Sequence, residues 1–332
     1  VQVLILSIKL KLSSREMDTW QLVLLTILIL LLANYAYRIF YDRIVERDIH
    51  EVEGFEDGMA SHGWHDDIYD KFYATVYNKI FQHDKLVQAE AAIALQEWKK
   101  TDTSGHLRIL DVCCGTGIAT CFFAKQSVDQ ATGLDKSVAM LNYARETVVP
   151  ATTLTEEQKQ RVDWRNGDAY GPMSCQASEF THACLLFFSI YAFKELDVLF
   201  KNLAFWVKPG GGLVVEVVNK HKFEPVPDVA NPWLAVSPQK HTKERITTSK
   251  AAFDKFDYDT KFVLEGNEAE FQETFQFKDG KVRRQKHPLY MPAISKIVSV
   301  AVEQGFTYDK FMDLQFIGFN YGYLLFFTRK VE

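Results

Sequence analysis

The chain has 332 residues, which fits one large domain with additions or two small ones. Hydrophobic residues at 47% and charged residues at 24% are ordinary for a globular protein, and a net charge of −5 argues against a nucleic-acid partner. The five cysteines, Cys113, Cys114, Cys121, Cys175 and Cys184, show no zinc-ligand spacing, so neither a metal centre nor a disulfide framework is expected, and the compartment reads as reducing.

Residues 1–18 form an N-terminal segment in which the chain begins with valine and Met17 is a candidate translation start. Residues 19–41 are expected to form a transmembrane helix. The part from 19 to 37 carries no charge, and at 1.5 Å per residue it spans about 28 Å, close to the hydrocarbon thickness of a bilayer. Its leucine-rich centre would favour insertion by about 3–6 kcal/mol. Trp20, Tyr35, Tyr37 and Tyr41 suit the two interfaces. A cleaved signal peptide would have a shorter apolar core and small residues at the cleavage site, whereas Tyr35 and Tyr37 are bulky. If Met17 is the start, Arg38, Arg43 and Arg47 after the segment place its C-terminal side in the cytosol. If Val1 is the start, Lys9, Lys11 and Arg15 balance the count, and the free cysteines favour the same side.

Residues 42–67 read as a polar, acid-rich linker. His62, His65, Asp66 and Asp67 lie in it with no rigid element to fix a metal geometry, so no metal site is expected there. Residues 68–98 are helical in pattern, with Tyr69, Tyr73 and Tyr77 recurring at four-residue spacing on one face.

Ile109, Leu110 and Val112 form a short apolar run that predicts a buried parallel strand. Gly115 and Gly117 follow, and a helix begins by Ala119. A strand, a glycine turn and a helix make the first half of a dinucleotide-type βαβ unit, with glycines where a ligand must approach the backbone. The fingerprint of nicotinamide-dinucleotide enzymes would need a third glycine where Thr120 stands, and here Asp111 precedes the glycines.

Residues 130–135 predict a second strand ending in Asp135, twenty positions beyond Gly115. That is the spacing at which a carboxylate reaches a ribose diol. Residues 162–168 predict a third strand with its exit loop, and residues 180–191 a fourth strand with its exit. Ligands in open α/β sheets bind beyond the carboxyl ends of strands, so Phe187, Phe188, Ser189 and Tyr191 are candidate wall residues. A helix over 195–206 leads through Val-Lys-Pro-Gly-Gly-Gly into a fifth strand over 213–218.

Beyond it, Phe256, Tyr258, Phe262 and Leu264 alternate with polar residues, as do Phe271, Phe275 and Phe277. Asp279-Gly280 is a good hairpin turn, so an inserted antiparallel sheet is expected. A last helix over 292–304 closes at Gly305, and a terminal strand pair covers 306–316 and 323–328.

Several of these motifs together resemble the class I S-adenosylmethionine (SAM)-dependent methyltransferases. They are the Asp-Val-Cys-Cys-Gly-Thr-Gly run at 111–117, Asp135, the Gly-Asp-Ala triplet at 167–169 and the Lys-Pro-Gly-Gly segment at 208–211. Within that family the chain resembles the small-molecule type, methyltransferase type 11/25-like. The resemblance covers roughly residues 68–330 and is specific in its cofactor half. It implies a Rossmann-like seven-stranded α/β sheet, mostly parallel with an antiparallel last strand and helices on both faces. An inserted antiparallel β lid and the N-terminal transmembrane helix would be added to it. The domains would be a SAM-binding core at 68–221, the lid at 222–290 and the rest of the core at 291–332.

The resemblance implies SAM as cofactor, held by Asp111, Cys113, Gly115, Thr116, Gly117, Asp135, Lys136, Met140, Asp168, Ala169, Phe187, Tyr69 and Tyr73. Asp168 and Ala169 would meet the adenine, Met140 would pack beside it, and the Tyr69–Tyr73 segment would fold over the cofactor. No catalytic base is assigned; Tyr191, His182, Asn219 and His221 lie near strand ends. The expected reaction is methyl transfer to a nitrogen or oxygen of a small-molecule or lipid-headgroup acceptor, without metal or nucleic acid, by a single-pass membrane protein with a cytosolic catalytic domain. A membrane-tethered protein methyltransferase and a non-catalytic SAM-binding scaffold are the alternatives.

Overall fold

The computed structural model describes residues 18, 20, 24–32, 68–102, 104–225 and 245–331. The chain divides into two compact units, Val1–Gly54 and Phe55–Glu332. In the first, residues 24–32 are helical with mostly exposed side chains. The rest of the expected 19–41 span, apart from residue 20, lies outside the described residues, as does the 42–67 linker. Among the described residues no helix is long and apolar enough to cross a membrane.

The second unit is built on a seven-stranded sheet. Its strands are β1 (Arg108–Val112), β2 (Gln130–Asp135), β3 (Val162–Asn166), β4 (Phe180–Leu185), β5 (Val207–Val218), β10 (Phe306–Asp313) and β11 (Gly322–Arg329). The spatial order is β10-β11-β5-β4-β1-β2-β3. β1 pairs in parallel with β2 and β4, β2 with β3 and β4 with β5, while β11 runs antiparallel to both β5 and β10. This matches the expected mostly parallel sheet. The apolar runs read as strands are buried on both faces: every residue of β4 and four of the five in β1 are buried.

Helices supply both covers. α1 (Lys71–Phe81) and α2 (Asp84–Thr101) precede β1. α3 (Ile118–Lys125) follows β1, and α4 (Val138–Tyr143) follows β2. α5 (Glu156–Gln160) precedes β3, and α6 (Leu196–Trp206) precedes β5. Val87, Ala94, Leu95 and Trp98 of α2 pack with Phe123 of α3 against Ile109, Cys184 and Val214 on one face. Leu199, Leu203 and Trp206 of α6 pack with Leu110, Ala183, Leu213 and Val215 on the other, where α7 (Ile294–Glu303) adds Ile297 and Ala301. The alternation of inward residues along β1, β4 and β5 produces this division.

The single helical pattern read over 68–98 is two helices. Gln82 adopts a left-handed conformation at φ 48°, its amide returns to the Asn78 carbonyl, and α2 starts after His83. The break carries Phe81 and His83 against Phe187 beyond β4.

A second sheet of four antiparallel strands follows β5: β6 (Thr248–Ala252), β7 (Phe256–Glu265), β8 (Glu268–Phe277) and β9 (Val282–Tyr290). Gly280 turns β8 into β9 at φ 91°, where the Asp-Gly pair predicts a hairpin. Phe72 of α1 packs edge-on against Phe256, Phe275 and Phe277. Lys220, just past β5, donates to the carbonyls of Gly266 and Met291 and to Asn267 Oδ1, which ties the inserted sheet to the main one.

Candidate functional site

β1 lies between β2 and β4, so consecutive connections leave it in opposite directions and a crevice forms beyond its carboxyl end. The chain leaving β1 enters this crevice as the glycine loop. Cys113, Gly115 and Gly117 all have positive φ, at 57°, 52° and 79°. A Cβ on Gly115 would meet no heavy atom within 4 Å, so this residue borders open space. A Cβ on Gly117 would fall 2.2 Å from Cη2 of Trp164, so that glycine serves packing.

Three side chains fix the loop. The Gly115 amide donates to Asp135 Oδ2 at 2.8 Å, and the Ser137 amide donates to Asp135 Oδ1 at 2.8 Å. Thr116 Oγ1 donates to Asn78 Oδ1 at 2.7 Å, which ties the loop to α1. Thr120 Oγ1 donates to Asp111 Oδ2 at 2.6 Å. Asp111 is buried beneath the loop, and burial pushes its carboxyl up to about 7 against the opposing Thr120 hydrogen bond. Burial also raises Asp135, with the Ser137 and Gly115 amides opposing it.

These groups fit a SAM-like ligand. A carboxylate offers about four acceptor positions. The amides of Gly115, Ser137 and Lys136 take part of this capacity at Asp135, and the rest is available to a hydroxyl beside the open flank of Gly115. The cavity is walled by the glycine loop, by Tyr77 and His83, and by Leu186, Phe187 and Ser189 beyond β4.

Among the expected cofactor residues, Asp111, Cys113, Gly115, Thr116 and Phe187 line this cavity. Gly117 caps α3 beside it. Lys136 and Asp168 lie at the β2–β3 end and pair at 3.4 Å, and Asp168 Oδ1 also accepts from the Tyr170 amide. Ala169 is buried and its carbonyl accepts from Asn202. Met140 is buried and is not among the residues that line the cavity.

Tyr69 is half-buried above Asp135, its carbonyl accepting from Ser137 Oγ at 2.6 Å. Tyr73 does not face the cavity: its hydroxyl donates to Glu273 Oε2 at 2.7 Å in the inserted sheet. There Glu273 also accepts from Tyr258, Gln285 and His287. A carboxylate only accepts, so His287 Nε2 carries the proton and Nδ1 faces the Tyr69 hydroxyl, 3.4 Å away. Burial pushes Glu273 up, but the His287 charge and the hydrogen bonds outweigh it and hold the carboxyl below its usual range.

The four candidates for a base are placed elsewhere. His182 is buried under Trp98, bonded to Thr181 Oγ1, and pushed down to about 4 by burial. Its register opposite Ile109 sets it back from the strand ends. The Tyr191 hydroxyl is buried and accepts from the Val218 amide at 2.7 Å, a clamp between backbone segments. Asn219 Oδ1 caps a turn by accepting from the His221 amide, and His221 is exposed.

Sequence reasoning missed Asn78 and His83. The four-residue stripe from Tyr69 to Tyr77 extends to Phe81, and that signal points at the cavity wall. Nothing local marks Asn78 as the partner of Thr116, 38 positions away.

Comparison with known proteins agrees with this geometry. Residues 109–211 match the family model described as a methyltransferase domain. Two demethylmenaquinone methyltransferases of Leptospira interrogans, from serovars copenhageni and Lai, are each 32% identical over 171 residues, 48% of this chain. The chain spans 61% of the length of these relatives. A SAM-dependent methyltransferase from Clostridium acetobutylicum superposes with a TM-score of 0.57 at 14% identity, covering 78% of this chain and 98% of that one. The CcbJ methyltransferase from Streptomyces caelestis gives 0.57 at 14% identity, covering 79% and 98%. DesVI from Streptomyces venezuelae gives 0.52 at 20% identity, covering 78% and 98%. The fold is that of these methyltransferase structures, and residues 109–211 match a methyltransferase domain.

Proposed function

We propose that the whole protein transfers the methyl group of SAM to a nitrogen or oxygen of a small-molecule or lipid-headgroup acceptor. We further propose that residues 19–41 tether it to a membrane as a single-pass protein with the catalytic unit in the cytosol. The observation that carries the reaction is the glycine loop pinned by Asp135 beside an aromatic wall. SAM supplies a methyl group already activated on a sulfonium, so the protein's task is alignment and exclusion of water. Tyr77, Phe81 and Phe187 supply apolar surface for the second. The inserted sheet brings Phe271 to within 6.2 Å of Phe81, centroid to centroid, so an acceptor would enter between this sheet and the β4 exit. Relatives named for a quinone-type acceptor support a small molecule over a protein.

The test is incubation of the purified full chain with isotopically labelled SAM and a cell extract, followed by mass spectrometry of metabolites and lipids. The expected result is one labelled methyl on a small molecule or lipid. Label found only on proteins, or on nothing, would count against this reading.

A further inference from the structure

Two buried acids behind the cavity wall have no role in the site so far described. Glu90 of α2 is 0% exposed and Glu216 of β5 is 1% exposed. Oε1 of Glu216 lacks a hydrogen-bond partner, and Glu90 faces no donor but the Phe187 amide. Glu216 Oε2 accepts from the Phe188 amide at 2.5 Å. Phe187 and Phe188 sit in left-handed conformations, at φ 48° and 62°, so Glu216 holds a strained turn whose Phe187 ring lines the cavity. His83, at the head of α2, stacks on that ring at 4.1 Å between centroids, lines the same cavity, and has an unpartnered buried Nδ1.

No described lysine or arginine pairs with either acid. The titratable groups that interact with them are Cys184 and Tyr191, while Asp111 and His83 line the adjoining cavity. Burying two carboxyls without a cation is costly, and apolar residues of like volume would serve packing better. His83 supplies no charge, because burial pushes it down to about 3.

We propose that Glu90 and Glu216, behind the Phe187 wall of the cavity, form a site for an organic ammonium group. The proposal rests on the methyltransferase reading, which offers two sources of that group: the α-ammonium of the cofactor and the amine of the acceptor. In the second case the ammonium passes a proton to the Glu216 carboxylate, which frees the nitrogen lone pair. The N–C bond then forms as the C–S bond breaks, S-adenosylhomocysteine leaves neutral, and the methylated product carries the charge. Burial pushes Glu216 up to about 7, and burial with repulsion from Glu216 also raises Glu90, so Glu216 accepts a proton near neutral pH.

The experiment uses the full chain with Glu90→Gln and Glu216→Gln. Four affinities are measured by calorimetry. SAM and 5′-methylthioadenosine, which lacks the amino-acid portion, report on the cofactor. Benzylamine and benzyl alcohol, added to protein saturated with S-adenosylhomocysteine, report on the acceptor. A tenfold or greater loss for SAM with methylthioadenosine unchanged establishes the site for the cofactor's ammonium. A tenfold or greater loss for benzylamine, with benzyl alcohol and SAM unchanged, establishes it for an acceptor amine. All four affinities within twofold of wild type overturn the proposal. A purely structural role would lower the melting temperature without separating charged from neutral ligands. Should Glu216→Gln fail to fold, Glu90→Gln decides alone, since it leaves the Phe188 hydrogen bond intact. A wild type that binds SAM through these acids yet methylates no acceptor would sink the methyltransferase reading and leave this one standing.

Discussion

Asp135 and Gly115, twenty positions apart, are joined by a 2.8 Å hydrogen bond from amide to carboxylate. The end of β2 therefore holds the glycine loop in shape as well as presenting an acid to the crevice. Asp135→Ala should weaken SAM by tenfold or more, because charge-assisted hydrogen bonds are worth roughly 1.5–3 kcal/mol each. It should also lower stability, since the Gly115 and Ser137 amides lose their acceptor. Calorimetric titration and thermal unfolding of the same variant check both. Unchanged SAM affinity would remove Asp135 from the cofactor site.

Asp111 makes a prediction about pH. Burial raises its folded carboxyl to about 7, whereas an unfolded aspartate titrates near 4. Between these values the folded state holds the extra proton, so this group's contribution to stability falls as pH rises from about 4 through 7. Glu216, also raised to about 7, acts in the same direction. Asp111→Asn should flatten the decline and gain on the wild type at pH 8 relative to pH 5. Parallel melting curves for the two proteins across that range would contradict the assignment.

The buried cluster around Glu273 joins the inserted sheet to α1. Glu273→Ala would leave His287, Tyr73, Tyr258 and Gln285 without their common acceptor. Removing one partner of a buried pair costs about 3–5 kcal/mol, measurable by urea unfolding. Because α1 also carries Asn78, which holds Thr116, SAM should weaken at least threefold. A stable variant with unaltered SAM affinity would show that the sheet and the cofactor site are independent.

Gly117→Ala should be destabilising by about 2 kcal/mol or more, from left-handed strain and overlap with Trp164. Gly266→Ala, at φ 63° with no heavy atom near its Cβ position, isolates the strain alone and should cost about half as much. Equal losses in urea unfolding would mean that Trp164 yields without penalty.

The N-terminal segment can be tested separately. A chain beginning at Gly63 should remain folded, stay in the supernatant after centrifugation with vesicles, and bind SAM as the full chain does. The full chain should sediment with them. Sedimentation of both, or of neither, would refute a tether in residues 19–41.

Much of the cofactor half was legible because it is local. A buried strand, a glycine turn and an acid at the next strand end are each set within a few residues, where backbone sterics and burial act directly. The position of Asp135 at the end of β2, beside the glycine loop, is therefore legible without any tertiary contact. The setting of Tyr73 is not legible, for the opposite reason. Its stripe on α1 is real, but its hydroxyl partner lies 200 positions away in β8. His182 and Tyr191 likewise stand near strand ends in the chain, yet each is buried in the core.

The sequence by itself determined the order of strands and helices, the glycine loop and the acids at the ends of β1 and β2, because periodicity and turn chemistry are properties of neighbours along the chain. Only the tertiary structure decided that Glu90 loses its water, that Glu216 stands behind Phe187, and that the inserted sheet grips α1 through Glu273. Solvent exclusion depends on every element that packs around a side chain, and most of those elements are remote in the chain. A glutamate in an alanine-rich helix looks the same on a wet surface as in a dry core until the sheet closes over it.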